Sequence, residues 1–420
     1  MITVADPGDE SPSNHTGSEM LLRWLQFGAF SPIFRTHCEL SCDRYIWDYT
    51  DRESLAPYVP MPRACVWCPL GQRFSATFSA TFVHECVHCH PPADFDQMRA
   101  VMRLRDALVP YIYTAAVEAY RSGVSLLRPM YYAWPGDEAA YEHPGQYMFG
   151  EAILVSPVSS AGSNITGRAN KAVYLPRFPP TSSSSAALSS AAAAAADSCW
   201  LNFADGQPAS ESKDEWQSHE IPAFVRVECQ QSGGQSAGAI IPMRTMNSTY
   251  SSFVDPLIWA TWSHTYGEGR AVSYSMYEDA GDGIEYEASI RGGSWAQAHA
   301  TTRATLSATT LSGSNHSSGQ ATIAFEIEPA VGTYPGQRAT RQQLVQFRAH
   351  HTQPTSVTVD GRRVEQITEA AAYDEGRSGW FMAGQSEGGR DNFTRPAGGL
   401  VVAVGRGSTF RKRYCVATFG

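Results

Sequence analysis

The chain has 420 residues, more than one hydrophobic core organises, so two or three domains are expected. Its 43% apolar content is enough for packed interiors, while a formal charge of -9 excludes the basic surface that nucleic-acid phosphates require. No apolar run approaches the roughly 20 residues of a membrane-spanning helix, and the residues after Met1 form neither the basic n-region nor the apolar h-region of a signal peptide.

From the N-terminus, about the first 135 residues read as alternating strands and helices. Asp94 or Asp96 is placed to cap a helix beginning near Gln97, with Met98, Val101, Met102, Arg105 and Leu108 at three-to-four spacing. Pro110 removes a backbone donor, so the helix is expected to kink or restart there. The second half, from Tyr111 to Tyr120, should stop at Gly123. Val124 to Leu127 then reads as a short buried strand ahead of Arg128-Pro129. Helix, glycine and apolar strand in succession is the rhythm of a parallel α/β architecture.

After Gly150 the texture becomes all-β. Ala152 to Val155, Ala172 to Leu175, Phe224 to Val227 and Ala239 to Ile241 are short apolar runs set between Gly, Pro and Ser. Beyond Ser251 the alternation is more open, as in Thr322 to Ile327 and Ser356 to Val359. That pattern predicts antiparallel sheets with one wet face. Two stretches break it: a Ser/Ala-rich tract over 181–198, read as a disordered loop or insertion, and residues 52–93, which lack a clear period. No internal repeat is evident.

Cys65-x-x-Cys68 and Cys86-x-x-Cys89 are separated by residues 69–85, a zinc-ribbon spacing with His84, His88 and His90 nearby. The competing reading, adopted here, is an insertion that holds no metal. Glu278, Asp279, Asp282 and Glu285 cluster around two glycines, yet their order does not fit a calcium-binding EF-hand loop, so a solvated turn is expected. Asn14, Asn164, Asn247, Asn315 and Asn392, five of the seven asparagines, lie in N-x-S/T sequons, an enrichment that leans toward the secretory pathway or the cell exterior.

Several segments in order resemble glycoside hydrolase family 31, the α-glucosidase-like enzymes. RWLQFGAFSPIFRTH (23–37) is similar to the segment running through the family's seventh barrel strand. MRLRDALVPYIYT resembles the next helix, and SGVSLLRPM (122–130) the last barrel strand. QYMFGEAILVSPV (146–158) resembles the opening of the proximal β domain. The runs from Ala172, Ile221 and Gly238 continue it, and Tyr277-Glu-Asp-Ala-Gly281 and Ser356 to Gly361 are similar to parts of the distal one. The resemblance implies an α/β plus all-β chain, the C-terminal end of a (β/α)8 TIM barrel followed by proximal and distal β-sandwich domains. The expected division is 1–137 with an insertion at 52–93, 138–250 with the 181–198 insertion, and 251–420.

Retaining hydrolysis, the chemistry the resemblance implies, uses one carboxylate as nucleophile and a second as acid and base. In the family both are Asp, in a WxDMNE-like and a GDN-like segment, and neither segment occurs in this sequence. Trp47-Asp48-Tyr49 is not the first, and Asp282-Gly283 is not the second. A fragment of a retaining α-glycosidase is therefore expected, inactive alone, with both aspartates upstream of Arg23 in a complete protein. The alternative is a non-catalytic carbohydrate-binding or scaffolding protein. His37 matches the family's R-x-H histidine, whose two ring nitrogens suit sugar hydroxyls as donor and acceptor. Arg35 is expected to orient its neighbours, Trp47 to wall the sugar ring, and Trp24 and Phe30 to pack in the core. No catalytic residue, metal or cofactor is expected in this chain. The expected partner is an α-linked oligosaccharide or glucoside, and no oligomeric state is read from the sequence. Lone barrel strands would leave bare edges, so the isolated chain is expected to aggregate or to melt without cooperativity.

Overall fold

The computed structural model describes residues 18–36, 92–163, 166–176, 200–210, 213–227, 238–245, 256–263, 271–281, 298–311, 320–373, 376–383 and 399–419. The four paired cysteines at 65–89, the 181–198 tract and all five sequon asparagines lie outside them.

Three long helices come first. Leu21, Leu22, Leu25 and Ala29 share the buried face of α1 (Ser18–Ala29). That periodicity makes helix of a segment expected to run through a barrel strand, and residues 33–36 beyond it are irregular. Next, α2 (Pro92–Ala107) begins before the expected Gln97, since proline is suited to a first helical position and Asp96 stays within the early turns, bound to Arg99 at 2.9 Å. As predicted, Pro110 forces a restart: α3 (Val109–Ser122) follows a break at Leu108 and ends at Gly123, whose φ of 74° lets its N–H reach Ala119 O.

The chain then becomes short strands and single helical turns. In order come β1 (Leu127–Pro129), α4 (Met130–Ala133), α5 (Ala139–Glu142), β2 (Tyr147–Phe149), β3 (Ile153–Val155), β4 (Arg168–Asn170), β5 (Trp200–Asn202), β6 (Glu215–Gln217) and β7 (Ala223–Arg226). β1 starts three residues later than expected, because Val124 and Ser125 remain exposed in the turn after Gly123. Its partner is antiparallel β2, not a parallel neighbour. The 172–175 run is irregular, and the strand pairing there is β4 with β6. A five-stranded sheet is built in the order β1-β2-β3-β7-β5.

Two further sheets form a sandwich from β8 (Ala239–Arg244), β9 (Leu257–Trp262), β10 (Val272–Asp279), β11 (His299–Leu311), β12 (Gln320–Ile327), β13 (Val331–Thr333), β14 (Thr340–Phe347), β15 (Ser356–Val359), β16 (Arg362–Arg363), α6 (Glu369–Tyr373), β17 (Gly379–Met382), β18 (Leu400–Ser408) and β19 (Arg413–Phe419). The outer sheet runs β10-β11-β12-β19-β15-β16, with β13 beside β11, and shows the expected alternation: Ile323, Phe325 and Ile327 point inward while the residues between them are half-exposed. The inner sheet runs β17-β18-β14-β9-β8 and contains a parallel pair, β9 with β14, amid otherwise antiparallel neighbours. The expected division at residue 250 falls between β8 and β9, which are adjacent in it.

The inner sheet is covered on both sides. Leu257, Trp259, Val345, Phe347 and Val402 face the outer sheet, whereas Ile258, Ala260, Trp262, Leu344 and Val401 join the core of α1–α3 and the five-stranded sheet. Double burial makes β9 apolar at every position except Thr261, whose hydroxyl donates to the Gln346 carbonyl, rather than alternating. Each such large side chain contributes about 1.5–3 kcal/mol. A third core, including Trp134, Trp200, Trp216 and Phe224, covers the far face of the five-stranded sheet.

Candidate sugar-site segment

The segment entering the expected sugar contacts leaves α1 at Ala29. Phe30 is fully buried, edge-on to Phe149 at 5.8 Å and to Phe203 at 5.7 Å, and its carbonyl accepts from the Tyr147 hydroxyl at 3.0 Å. The Phe34 ring lies so close to Gly28 that a Cβ there would overlap it. Arg105, reaching across from α2, donates to the carbonyls of Ala29 (3.2 Å), Ser31 and Pro32 (2.9 Å). Burial pulls the Arg105 guanidinium down to about 10, which leaves it charged at neutral pH. Five N–H donors in a planar fork suit three carbonyls of one short stretch where a lysine ammonium would not.

Among the expected sugar contacts, Arg35 is solvent-exposed in the irregular stretch beyond Phe34, and His37 and Trp47 lie outside the described residues. Trp24 and Phe30 do pack in the core. Sequence reasoning counted Arg105 only as a helix-face residue. The available signal was a guanidinium on an otherwise apolar stripe, which is rarely buried without polar partners.

The acidic pair of the Tyr277-Glu-Asp-Ala-Gly281 segment lies on β10 and not in a solvated turn. Glu278 accepts two bonds from Arg341, at 3.0 and 2.5 Å, with both side chains largely buried. Asp279 accepts from the Tyr113 hydroxyl (2.7 Å), the Tyr277 hydroxyl (2.9 Å) and the Gly281 N–H (2.9 Å). The Tyr277 N–H donates to Thr114 Oγ1 on α3 at 3.1 Å. These residues therefore fasten the sandwich to α3. Asp282 and Glu285 lie outside the described residues.

Three helices packed on an antiparallel sheet and then on a β-sandwich make up the described architecture. Comparison with known proteins shows what it is similar to. The family profile "Glycosyl hydrolases family 31 TIM-barrel domain" matches residues 10–60, and "Glycosyl hydrolase family 31 C-terminal domain" matches residues 123–228. These two matches, with the relatives below, support membership of glycoside hydrolase family 31. It is 28% identical over 158 residues to neutral alpha-glucosidase AB of Homo sapiens, covering 38% of this chain and 12% of that one. It is 24% identical over 284 residues to an alpha-xylosidase of Saccharolobus solfataricus, covering 66% and 27%. Among solved structures, a family 31 dextranase of Flavobacterium johnsoniae bound to isomaltotriose superposes over 95% of this chain and 37% of its own, with a TM-score of 0.59 and 18% identity. A cycloalternan-forming enzyme of Listeria monocytogenes with a pentasaccharide substrate gives 0.55 at 19% identity, over 96% and 28%. The chain thus spans between 12% and 27% of the length of the two sequence relatives named. No helix among the described residues is long and apolar enough to cross a membrane.

Proposed function

We propose that this chain is the C-terminal part of a retaining α-glycosidase that hydrolyses α-linked glucosides. The observation that carries the reading is the order of the two family profiles, barrel before C-terminal domain, joined to relatives that are an α-glucosidase and an α-xylosidase. In this reading His37 hydrogen-bonds the terminal sugar, Trp47 flanks it and Arg35 orients the segment, whose backbone leaves α1 under the hold of Arg105. The two catalytic aspartates come from sequence other than these 420 residues, and the β domains hold the barrel end in place.

The test is to sequence full-length transcripts of the locus, express the protein they encode and assay it on an aryl α-glucoside. Hydrolysis by a product carrying WxDMNE-like and GDN-like segments, and its loss by at least tenfold in His37→Ala, is the expected result. Hydrolysis by the 420-residue chain alone would overturn the assignment of the missing aspartates. A transcript that encodes only this chain, which then binds α-glucans without cleaving them, would establish the carbohydrate-binding alternative.

A further inference from the structure

The chain carries three lysines, Lys171, Lys213 and Lys412, and the fold sets one of them apart. Lys213 Nζ meets Glu220 at 2.7 Å and stands 4.3 Å from the centre of the Trp216 ring, and Lys412 Nζ meets Glu326 at 2.6 Å. Among the described residues the Lys171 ammonium has no ion-pair or hydrogen-bond partner. Its backbone is fixed, because the Lys171 N–H donates to the Asp214 carbonyl at 2.7 Å and its carbonyl accepts from Trp216 Nε1 at 2.9 Å. The side chain reaches the 143–146 turn, where Nζ lies 3.4 Å from the place a Cβ on Gly145 would occupy. That turn is fastened to the stretch following β4. His143 stacks on Tyr174 at 5.0 Å and 10°, and the Gln146 amide bonds both the N–H (3.1 Å) and the carbonyl of Tyr174.

An amine held this way is nucleophilic. A carboxylate partner keeps an ammonium protonated, whereas burial without a counter-charge disfavours the charged form. Burial accordingly lowers the Lys171 pKa. The neutral amine has the free lone pair with which lysine attacks carbonyl carbons. Gly145 puts no side chain over Nζ, so a small carbonyl compound has room to approach. We propose that Lys171 is a covalent amine site for small aldehydes. Nζ bonds to the carbonyl carbon as the C=O π pair moves to oxygen, and a proton passes from nitrogen to that oxygen to give a carbinolamine. The carbinolamine then loses this hydroxyl together with the remaining nitrogen-bound hydrogen as water, leaving a C=N bond. One amine and one aldehyde thus give one imine and one water. Exposure alone ranks the lysines differently: the Lys412 and Lys213 side chains are 55% and 41% exposed, while Lys171 is half-buried.

The test is to treat the full-length protein with limiting glycolaldehyde, trap imines with cyanoborohydride, cleave after glutamates and quantify each lysine by peptide mass spectrometry. Lys171 is expected to be labelled about fivefold faster, or more, than Lys213 and Lys412. Gly145→Val, at an exposed turn position whose backbone suits any residue, sets a branched side chain against Nζ. It should slow Lys171 severalfold and leave Lys213 unchanged. Glu326→Gln, which releases Lys412, should raise Lys412 labelling toward that of Lys171. Equal rates at the three lysines, or rates that follow exposure with Lys412 first and Lys171 last, overturn the proposal. A Lys171 rate indifferent to Gly145→Val overturns it too. The comparison within the parent protein needs no variant and decides the matter if Gly145→Val does not fold.

Discussion

Acid should unfold the sandwich through one residue, His350. Its ring is 4% exposed, stacks on Phe419 at 5.8 Å, meets Phe347 edge-on at 6.3 Å and shares a 2.9 Å hydrogen bond between Nε2 and Ser263 Oγ. Burial, reinforced by the neighbouring His351, lowers its pKa from 6.5 to about 4. A group whose folded value lies below its unfolded value binds protons preferentially in the unfolded chain. Its contribution is therefore complete above pH 6.5 and is lost as pH falls from 6.5 toward 4. At about 1.4 kcal/mol per unit, the full loss is about 3 kcal/mol, and about 2.5 kcal/mol is already gone near pH 4.5. That is a large share of a stability of roughly 5–15 kcal/mol. The assay is a pair of urea titrations at pH 7.5 and 4.5 followed by tryptophan fluorescence, on the full-length parent protein and on its His350→Gln variant, whose amide can still reach Ser263. The parent should lose about 2.5 kcal/mol more than the variant between the two conditions. Equal losses would show that His350 does not carry the acid sensitivity, and the reasoning would fall.

Removing the clamp on the 29–32 backbone, Arg105→Ala should cost about 3 kcal/mol in urea melts, and Arg105→Lys should recover only part of it. Arg341→Ala strands Glu278 in a largely buried site and should cost about 3–5 kcal/mol by the same measurement, whereas the double change Arg341→Met with Glu278→Leu should recover most of that loss. Leu257→Ala and Ile258→Ala open cavities on opposite faces of β9 and should each cost about 2–5 kcal/mol. Both should lower the same thermal transition of the full-length protein, and calorimetric traces in which they lower different transitions would show that the inner sheet does not couple its two cores.

The elements legible in the sequence are those where one local rule acts alone. Gly123 ended α3, and the alternation of Thr322 to Ile327 gave β12 with its correct inward residues. β14 was hidden because Gln342, Gln343 and Gln346 are polar on paper. In the fold they are buried, and they bind the Ala372 carbonyl, the Trp259 indole N–H and the Tyr373 hydroxyl respectively. The spacing of Leu21, Leu22, Leu25 and Ala29 carries the helix of α1, a period not read from the sequence. At the site, partners distant in sequence were invisible: nothing near Arg105 foretells three carbonyls some 75 positions away, and nothing near Glu278 foretells Arg341.

Two neighbouring residues show how a β-sandwich can bear on the segment that leads toward the proposed sugar contacts. Arg105 holds the carbonyls that follow α1, while Asp106, the next residue on α2, receives Arg244 of β8 through its carboxylate and its carbonyl. β8 in turn pairs along its whole length with β9, whose alternate residues fill the sandwich core. One turn of helix thus carries a connection from the inner sheet to the backbone that leads toward Arg35. Because that sheet is buried on both faces, its strands cannot shift toward one core without opening the other. The sandwich therefore acts as a rigid wall against which the barrel end is positioned. In the proposed glycosidase, substitutions in this wall should alter how the sugar is held before they alter the chemistry.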